Sequence, residues 1–163
     1  MTGRQALDTM ARRAIDANHY MVLGTRDPDG EPRLSPVYFT AARYTDFYWV
    51  SSPEAHHSRN VGERPEVKIV IFDSSVPVGE GRAVYLSGTA RQLREDELEA
   101  ACPEAFRTTA GARPFDPAEL SGDAPLRLYV ARMTSCEVHV PGSHPVHGRG
   151  LDCRLPADPA AAA

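Results

Sequence analysis

The sequence predicts a mainly β protein with short helices, its strands closed antiparallel into a barrel or nearly so. Three observations carry this. Six apolar or alternating runs are separated by tight turn signals, and helical patterns appear only between or outside them. Between Leu23 and Phe72 there is room for one short helix, too little for several crossovers of a parallel sheet. No GxGxxG or Walker sequence follows any strand, so a parallel nucleotide-binding sheet is set aside.

The elements follow in order. Thr2 and Gln5 make a capping-box pattern. Ala6, Leu7, Met10, Ala11, Ala14 and Ile15 then recur at helical spacing, which leaves Arg4, Asp8, Arg12 and Asp16 on a wet face. Tyr20 to Thr25 is a strand, and Asp27-Pro-Asp-Gly30 turns the chain, Gly30 being free to take a positive φ. The return strand spans Arg33 to Thr40. Pro36 in its middle donates no ladder hydrogen bond, so this strand belongs at an edge or a bulge. Phe47 to Ser51, aromatic and β-branched, is a third strand. A helix opens at Ser52-Pro53, with Ser as cap and Pro at the first helical position, and stops near Gly62 ahead of Pro65. Val67 to Phe72 is almost wholly apolar and belongs mid-sheet. A loop rich in Ser, Gly and Pro spans Asp73 to Gly81. Ala83 to Leu93 is a long strand bent at Gly88. A short acidic helix from Glu95 to Cys102, an irregular connection from Thr108 to Pro125 and a last strand from Leu126 to Val140 complete the pattern.

The 163 residues are one domain's worth, placed at 1–150, and the Ala/Pro-rich end reads as a disordered tail over 151–163. A formal charge of −4 gives no basic footprint for nucleic acid. No apolar run has the length of a membrane span, and the N-terminus lacks the apolar core of a signal peptide. Three dispersed cysteines suit a reducing compartment, so a cytoplasmic location is expected.

Chemistry concentrates around Ser52, Pro53, Ser58 and Arg59. The free N–H groups of a helix start attract anions, and Arg59 offers a bidentate fork, which together suit a phosphate. Many helices without ligands begin the same way. Tyr38, Phe39, Phe47, Tyr48 and Trp49 either line a ligand wall or fill the barrel core. His139, His144 and His147, with Cys136 and Cys153, form a late His/Cys patch whose spacing fits no standard zinc pattern, and no metal is expected. Ser87-Gly88 lacks the GxSxG context of a nucleophile, and no catalytic residue is assigned.

From about Asn18 to Leu93, with the last strand as a continuation, the chain resembles the pyridoxamine 5′-phosphate oxidase-like, FMN-binding split-barrel proteins. Four pieces carry the likeness: Leu23-Gly-Thr25 before the DPDG turn, Pro32-Arg-Leu-Ser-Pro-Val37, the run from Phe47 to Asn60, and Gly79-Glu-Gly-Arg-Ala-Val-Tyr-Leu-Ser-Gly88. The resemblance implies an antiparallel six-stranded split barrel and a homodimer with two flavin sites at the subunit interface. The ring would lie against Leu34, Ser35, Pro36 and Val37, with Arg33 beside it, and its edge would meet Val50 and Ser51. Ser52, Ser58 and Arg59 would grip the phosphate. His57 stands where some members place another basic residue. Arg82 and Ala83 fall near a glutamine that the oxidase proper sets against the ring; Ala83 makes no such bond, which departs from that enzyme's chemistry. The implied function is FMN-dependent hydride or electron transfer to a small molecule. The alternatives are a deazaflavin-dependent reductase and a non-catalytic flavin or haem carrier or sensor. A deazaflavin's longer anionic tail would call on Arg33, Arg43, Arg59, Arg64 and Lys68.

Overall fold

The structure, a computed structural model, describes residues 3–107 and 113–161, so the Thr2 cap and residues 108–112 of the irregular connection lie outside it. In chain order the described elements are α1 (Gly3–Asp16), β1 (Tyr20–Arg26), β2 (Pro32–Tyr38), β3 (Thr40–Ala42), β4 (Asp46–Ser51), α2 (His56–Glu63), β5 (Glu66–Phe72), β6 (Ala83–Gln92), α3 (Leu98–Ala105), β7 (Arg127–Val140) and β8 (Cys153–Pro156). Single 3-10 turns stand at Glu95–Glu97 and Pro117–Leu120.

Every pairing is antiparallel, in the order β2-β1-β5-β6-β7-β4-β3, with β8 added beside β7. Phe39 alone separates β2 from β3, so the two ends of this order are one strand and the sheet closes on itself. Counted that way, β8 aside, the ring holds the six strands the sequence implies. β2 pairs β1 as far as Tyr38, and β3 pairs β4 from Thr40. Between β2 and the end of β4 no ladder forms, and there the barrel is split.

The register explains both prolines of β2. Phe39 N–H donates to His19 O at 3.0 Å, and Asp27 N–H to Glu31 O at 2.9 Å. These bonds flank a ladder in which hydrogen-bonded pairs alternate, so odd residues of β2 bond toward β1 and even ones turn their main-chain groups outward. Pro32 and Pro36 occupy outward positions, where a missing N–H costs nothing. The expected edge position of Pro36 holds. Gly88 likewise sits where β6 slips register against β7, and a Cβ there would lie 2.2 Å from Arg132 O. Only glycine allows that approach.

Met21, Leu23, Phe47, Trp49, Ile69, Ile71, Val84 and Leu86 fill the barrel. Phe39 stacks on Phe47 at 5.8 Å, and Trp49 on Tyr129 at 5.4 Å. A second core, built from Leu93, Leu98, Cys102, Ala105, Leu120 and Leu128, takes Tyr48, Val50 and Val130 against it. It seats α3 and the Pro117–Leu120 turn outside the barrel wall.

Three expectations are corrected. The helix after β4 starts at His56, not at Ser52-Pro53. Ser52 O accepts the Ala55 N–H and Ser52 Oγ accepts the Glu54 N–H, both at 3.1 Å, which makes residues 52–55 a turn with Pro53 in its second place. Asp8 is not on a wet face: it is buried, and its carboxylate accepts the Asp158 N–H at 2.7 Å. The tail is not wholly disordered. Residues 153–156 pair with β7 as β8, and Arg12 binds the carbonyls of Pro159 and Ala161. Its order comes from β7 and from Asp8 and Arg12 near the other end of the chain, partners that local composition does not reveal. No helix among the described residues is long and apolar enough to cross a membrane.

Candidate functional site

The split gives the molecule a cleft with two unlike walls. One wall is the free edge of β2, which offers the Leu34 N–H and the outward carbonyls of Pro32, Leu34 and Pro36. The Leu34 side chain stands 71% exposed on this strand. The facing wall is the end of β4, where Val50 and Ser51 close the strand before the turn into α2. A planar molecule with amide-like edges finds unpaired main-chain partners on one side and apolar surface on the other.

The start of α2 lies just beyond. No side chain caps its first-turn N–H groups, since Ala55 occupies the cap position. His57 Nε2 shares a hydrogen with Ser51 Oγ at 2.9 Å. Burial pushes the His57 imidazole below its ordinary pKa and favours the neutral ring. Arg59 is exposed and pairs with Glu54 at 2.5 Å. Both partners of that pair are solvated, so an incoming anion displaces Glu54 at small cost. An uncapped helix start, a hydroxyl–imidazole pair and a reachable guanidinium make a fitting seat for a phosphate.

Ser58 points elsewhere. Its Oγ is buried with no hydrogen bond of good geometry, beside the Tyr129 hydroxyl, which donates to Gln92 Oε1 at 3.2 Å. Neighbouring residues on a helix are turned about 100° apart, so burying Ser58 sends Arg59 outward. Ser51, Ser52, His57 and Arg59 thus follow one another from the end of β4 into the first turn of α2, while the Ser58 hydroxyl is shut inside. Arg82 precedes β6 at the end opposite Gln92, where Ala83 pairs Phe72.

Arg33 is spoken for. Its guanidinium grips Asp27 through Nε at 2.9 Å and Nη2 at 2.7 Å. Asn60 Nδ2 joins them, 2.7 Å from Asp27 Oδ1 and 3.1 Å from Thr25 Oγ1. The Arg33 fork, then the Asn60 amide, hold the Asp27 carboxyl down at about 2. This Arg33–Asp27–Asn60–Thr25 network, which the sequence reading missed, pins α2 to the β1–β2 turn. Its signal is an asparagine in mid-helix, where that residue is a poor former and usually has tertiary work. The basic residues offered for a longer anionic tail form no single track. Arg43 faces Asp46 and Glu104, Arg64 holds Glu63, and Lys68 holds Ser87.

The aromatic cluster divides cleanly. Phe39, Phe47 and Trp49 belong to the barrel core, whereas Tyr38 and Tyr48 are half-buried on the outside. In the late His/Cys patch, His144 Nδ1 accepts the N–H groups of Val146 and His147, and His147 Nε2 bonds Gly3 O at 3.1 Å. Among the described residues no group of three potential ligands is placed to hold a metal.

Comparison with solved structures supports the same architecture. A haem-binding protein of Mycobacterium smegmatis matches with TM-score 0.66 at 21% identity, over 96% of this chain and 59% of that one, so this chain spans under two thirds of that protein's length. A pyridoxamine 5′-phosphate oxidase-related, FMN-binding protein of Nostoc punctiforme matches with TM-score 0.62 at 12% identity over 98% of both chains. An F-420 reductase matches with TM-score 0.52 at 17% identity, over 83% of this chain and 97% of that one. At these identities the likeness is one of fold. No protein of curated function matches the sequence. The family model described as pyridoxamine 5′-phosphate oxidase matches residues 7–139, the stretch that holds the whole ring and the cleft, and by that match the chain belongs to the pyridoxamine 5′-phosphate oxidase family.

Proposed function

We propose that this chain is an FMN-dependent oxidoreductase acting on a small molecule. The observation that carries the reading is the cleft: an unpaired strand edge ending at an uncapped helix start within reach of a solvated arginine. Bound there, the flavin would supply hydride or electron transfer. The protein's share is to bind and orient. The β2 edge presents its Leu34 main-chain groups to the ring, Val50 and Ser51 bound its far side, and Ser52, the α2 amides and Arg59 take the phosphate. His57, neutral and tied to Ser51, fixes that hydroxyl. The scattered, already paired basic residues favour the short phosphate of FMN over the longer tail of a deazaflavin.

The working unit on this reading is a homodimer. The outer faces of β2, β1, β5 and β6 align Pro36, Val22, Val70 and Tyr85 in one cross-strand row, next to exposed Tyr20 and Phe72. An apolar row across four strands suits a second copy. In such a pair Arg82 of one protomer becomes free to reach the cleft of the other.

The test is a visible-spectrum titration with FMN and, separately, with deazaflavin coenzyme, followed by turnover with reduced nicotinamide. Saturable FMN binding in the micromolar range with a perturbed flavin spectrum is expected. Preference for the deazaflavin transfers the reading to that coenzyme, and binding without reduction makes the protein a carrier. Binding of neither removes the oxidoreductase reading and brings a haem titration forward.

A further inference from the structure

Beside the cleft lies a cavity of about 240 Å³ that the cofactor reading leaves unused. It is lined by residues of β2, β3 and β4 (Tyr38, Thr40, Tyr48 and Val50) and roofed by Phe106, Phe115 and Leu126, with Arg113 at its rim. Tyr38 and Val50 border the cleft as well, so a molecule held here lies against the edge where the flavin is placed. Its size falls below the roughly 300–1,000 Å³ of pockets for drug-sized ligands, which points to one or two fused rings. The walls are aromatic or aliphatic.

The charge at the rim is already cancelled. Arg113 makes two bonds to Glu119, Nη1–Oε2 at 2.9 Å and Nη2–Oε1 at 2.6 Å, and its guanidinium lies over the Phe115 ring at 4.7 Å. Unlike Glu54, Glu119 is also held by the Asp116 N–H at 2.9 Å, so an anion entering here would have to break a two-bond fork and lie beside a carboxylate fixed in place. Thr40 spends its hydroxyl proton on Ala105 O. The polar groups left over are the half-buried Tyr38 and Tyr48 hydroxyls and the buried indole N–H of Trp49, which also lines the cavity and has no hydrogen-bond partner among the described residues. Burial pushes both phenols upward, so both stay protonated donors.

We infer that this cavity is the substrate subsite of the proposed reaction and takes an uncharged, planar ring compound carrying a carbonyl-type hydrogen-bond acceptor. Phosphorylated or carboxylated substrates are turned away by the paired rim. The inference rests on the oxidoreductase reading for its role in catalysis, but the binding preference stands on the cavity alone.

The test compares two isosteric probes, 2-acetylnaphthalene and 2-naphthoate, by ligand-observed NMR on the full chain with and without FMN. The neutral ketone is expected to bind about tenfold or more tightly than the carboxylate, as desolvating an unpaired charge dictates. Leu126→Trp, which fills the cavity, should abolish ketone binding. Tyr38→Phe/Tyr48→Phe should weaken the ketone severalfold while leaving plain naphthalene unchanged. Equal or tighter binding of the naphthoate, no ketone binding, or ketone binding that survives Leu126→Trp overturns the subsite. FMN titration of the same samples separates the two claims. Ketone binding in a protein that ignores FMN keeps the pocket and defeats the redox reading, whereas FMN binding without ketone binding does the reverse.

Discussion

The two ends of the barrel are each plugged by a helix, and they are finished very differently. At the α1 end the chain's last described segment folds back and locks. Asp8 is buried against the Asp158 N–H, Arg12 takes two carbonyls of the tail, and the His147 ring reaches Gly3. Polar groups there are met by partners some 150 residues away. At the α2 end the helix start has no cap, the Ser58 hydroxyl and the nearby Trp49 indole N–H are buried without partners, and the adjoining strand edge is bare. Among the described residues the polar groups of the α1 end named here are met, while at the α2 end two buried ones are not, and on the proposed reading that end is the binding region.

That contrast can be attacked from either side. The largest effect is expected from Asp8→Ala, which leaves the Asp158 N–H unmet and frees the tail. A loss of about 2–3 kcal/mol in unfolding free energy is predicted, readable as a lower urea midpoint, with FMN affinity of the folded protein unchanged. Arg59→Ala should do the opposite. It should weaken FMN by about 1.5–3 kcal/mol in a spectral titration and leave the urea midpoint where it was. If Arg59→Ala binds FMN as tightly as the parent, the phosphate lies elsewhere.

A third, smaller effect concerns acid. The Asp27 carboxyl is held near 2 in the folded chain, below its ordinary 3.8, by the Arg33 fork and the Asn60 amide. A group lowered on folding contributes fully above its unfolded value and loses that contribution as pH falls through the folded one. Amide protection in α2 should therefore decline between about pH 4 and pH 2 while α1 keeps its protection. Asp27→Asn should flatten that decline. Glu97 and Glu119, also held at about 2 by arginines, lie on other elements and serve as internal controls. The smallest change is Tyr44→Phe, which removes an exposed bond to Asp16 at 2.9 Å. It should move stability by no more than about 0.5 kcal/mol, measured by the same urea unfolding.

Much of the ring was legible because its signals are local. The DPDG turn, the proline that demands an outward position and the glycine at the β6 bulge each declare a backbone need within a few residues. The start of α2 misled because a serine before a proline suits two geometries, a cap and a turn, and the hydroxyl chose the turn. Asp8 and the tail were misread for a shared reason, since each makes sense only beside the other. At the site, Val50 to Ser52, His57 and Arg59 lie along the end of β4 and the start of α2, and Leu34 to Val37 lie on the free edge of β2. The Ser58 hydroxyl is turned inward, because in so short a helix the rotation of about 100° between neighbours decides which side chain faces the barrel. Arg113 and Phe115 escaped notice because nothing local distinguishes a cavity roof from an irregular connection.

The ring closure at Phe39 bears on how the chain reaches its fold. β1 with β2, and β3 with β4, meet across short connections, but the wall between β4 and β7 joins residues as distant as Asp46 and Arg132, locked by a carboxylate–guanidinium contact at 2.9 Å. Long-range pairings of this kind set slow folding rates. During N-to-C synthesis β4 therefore waits with a bare edge until β7 emerges, an interval in which it is open to pairing with another chain and to chaperone capture.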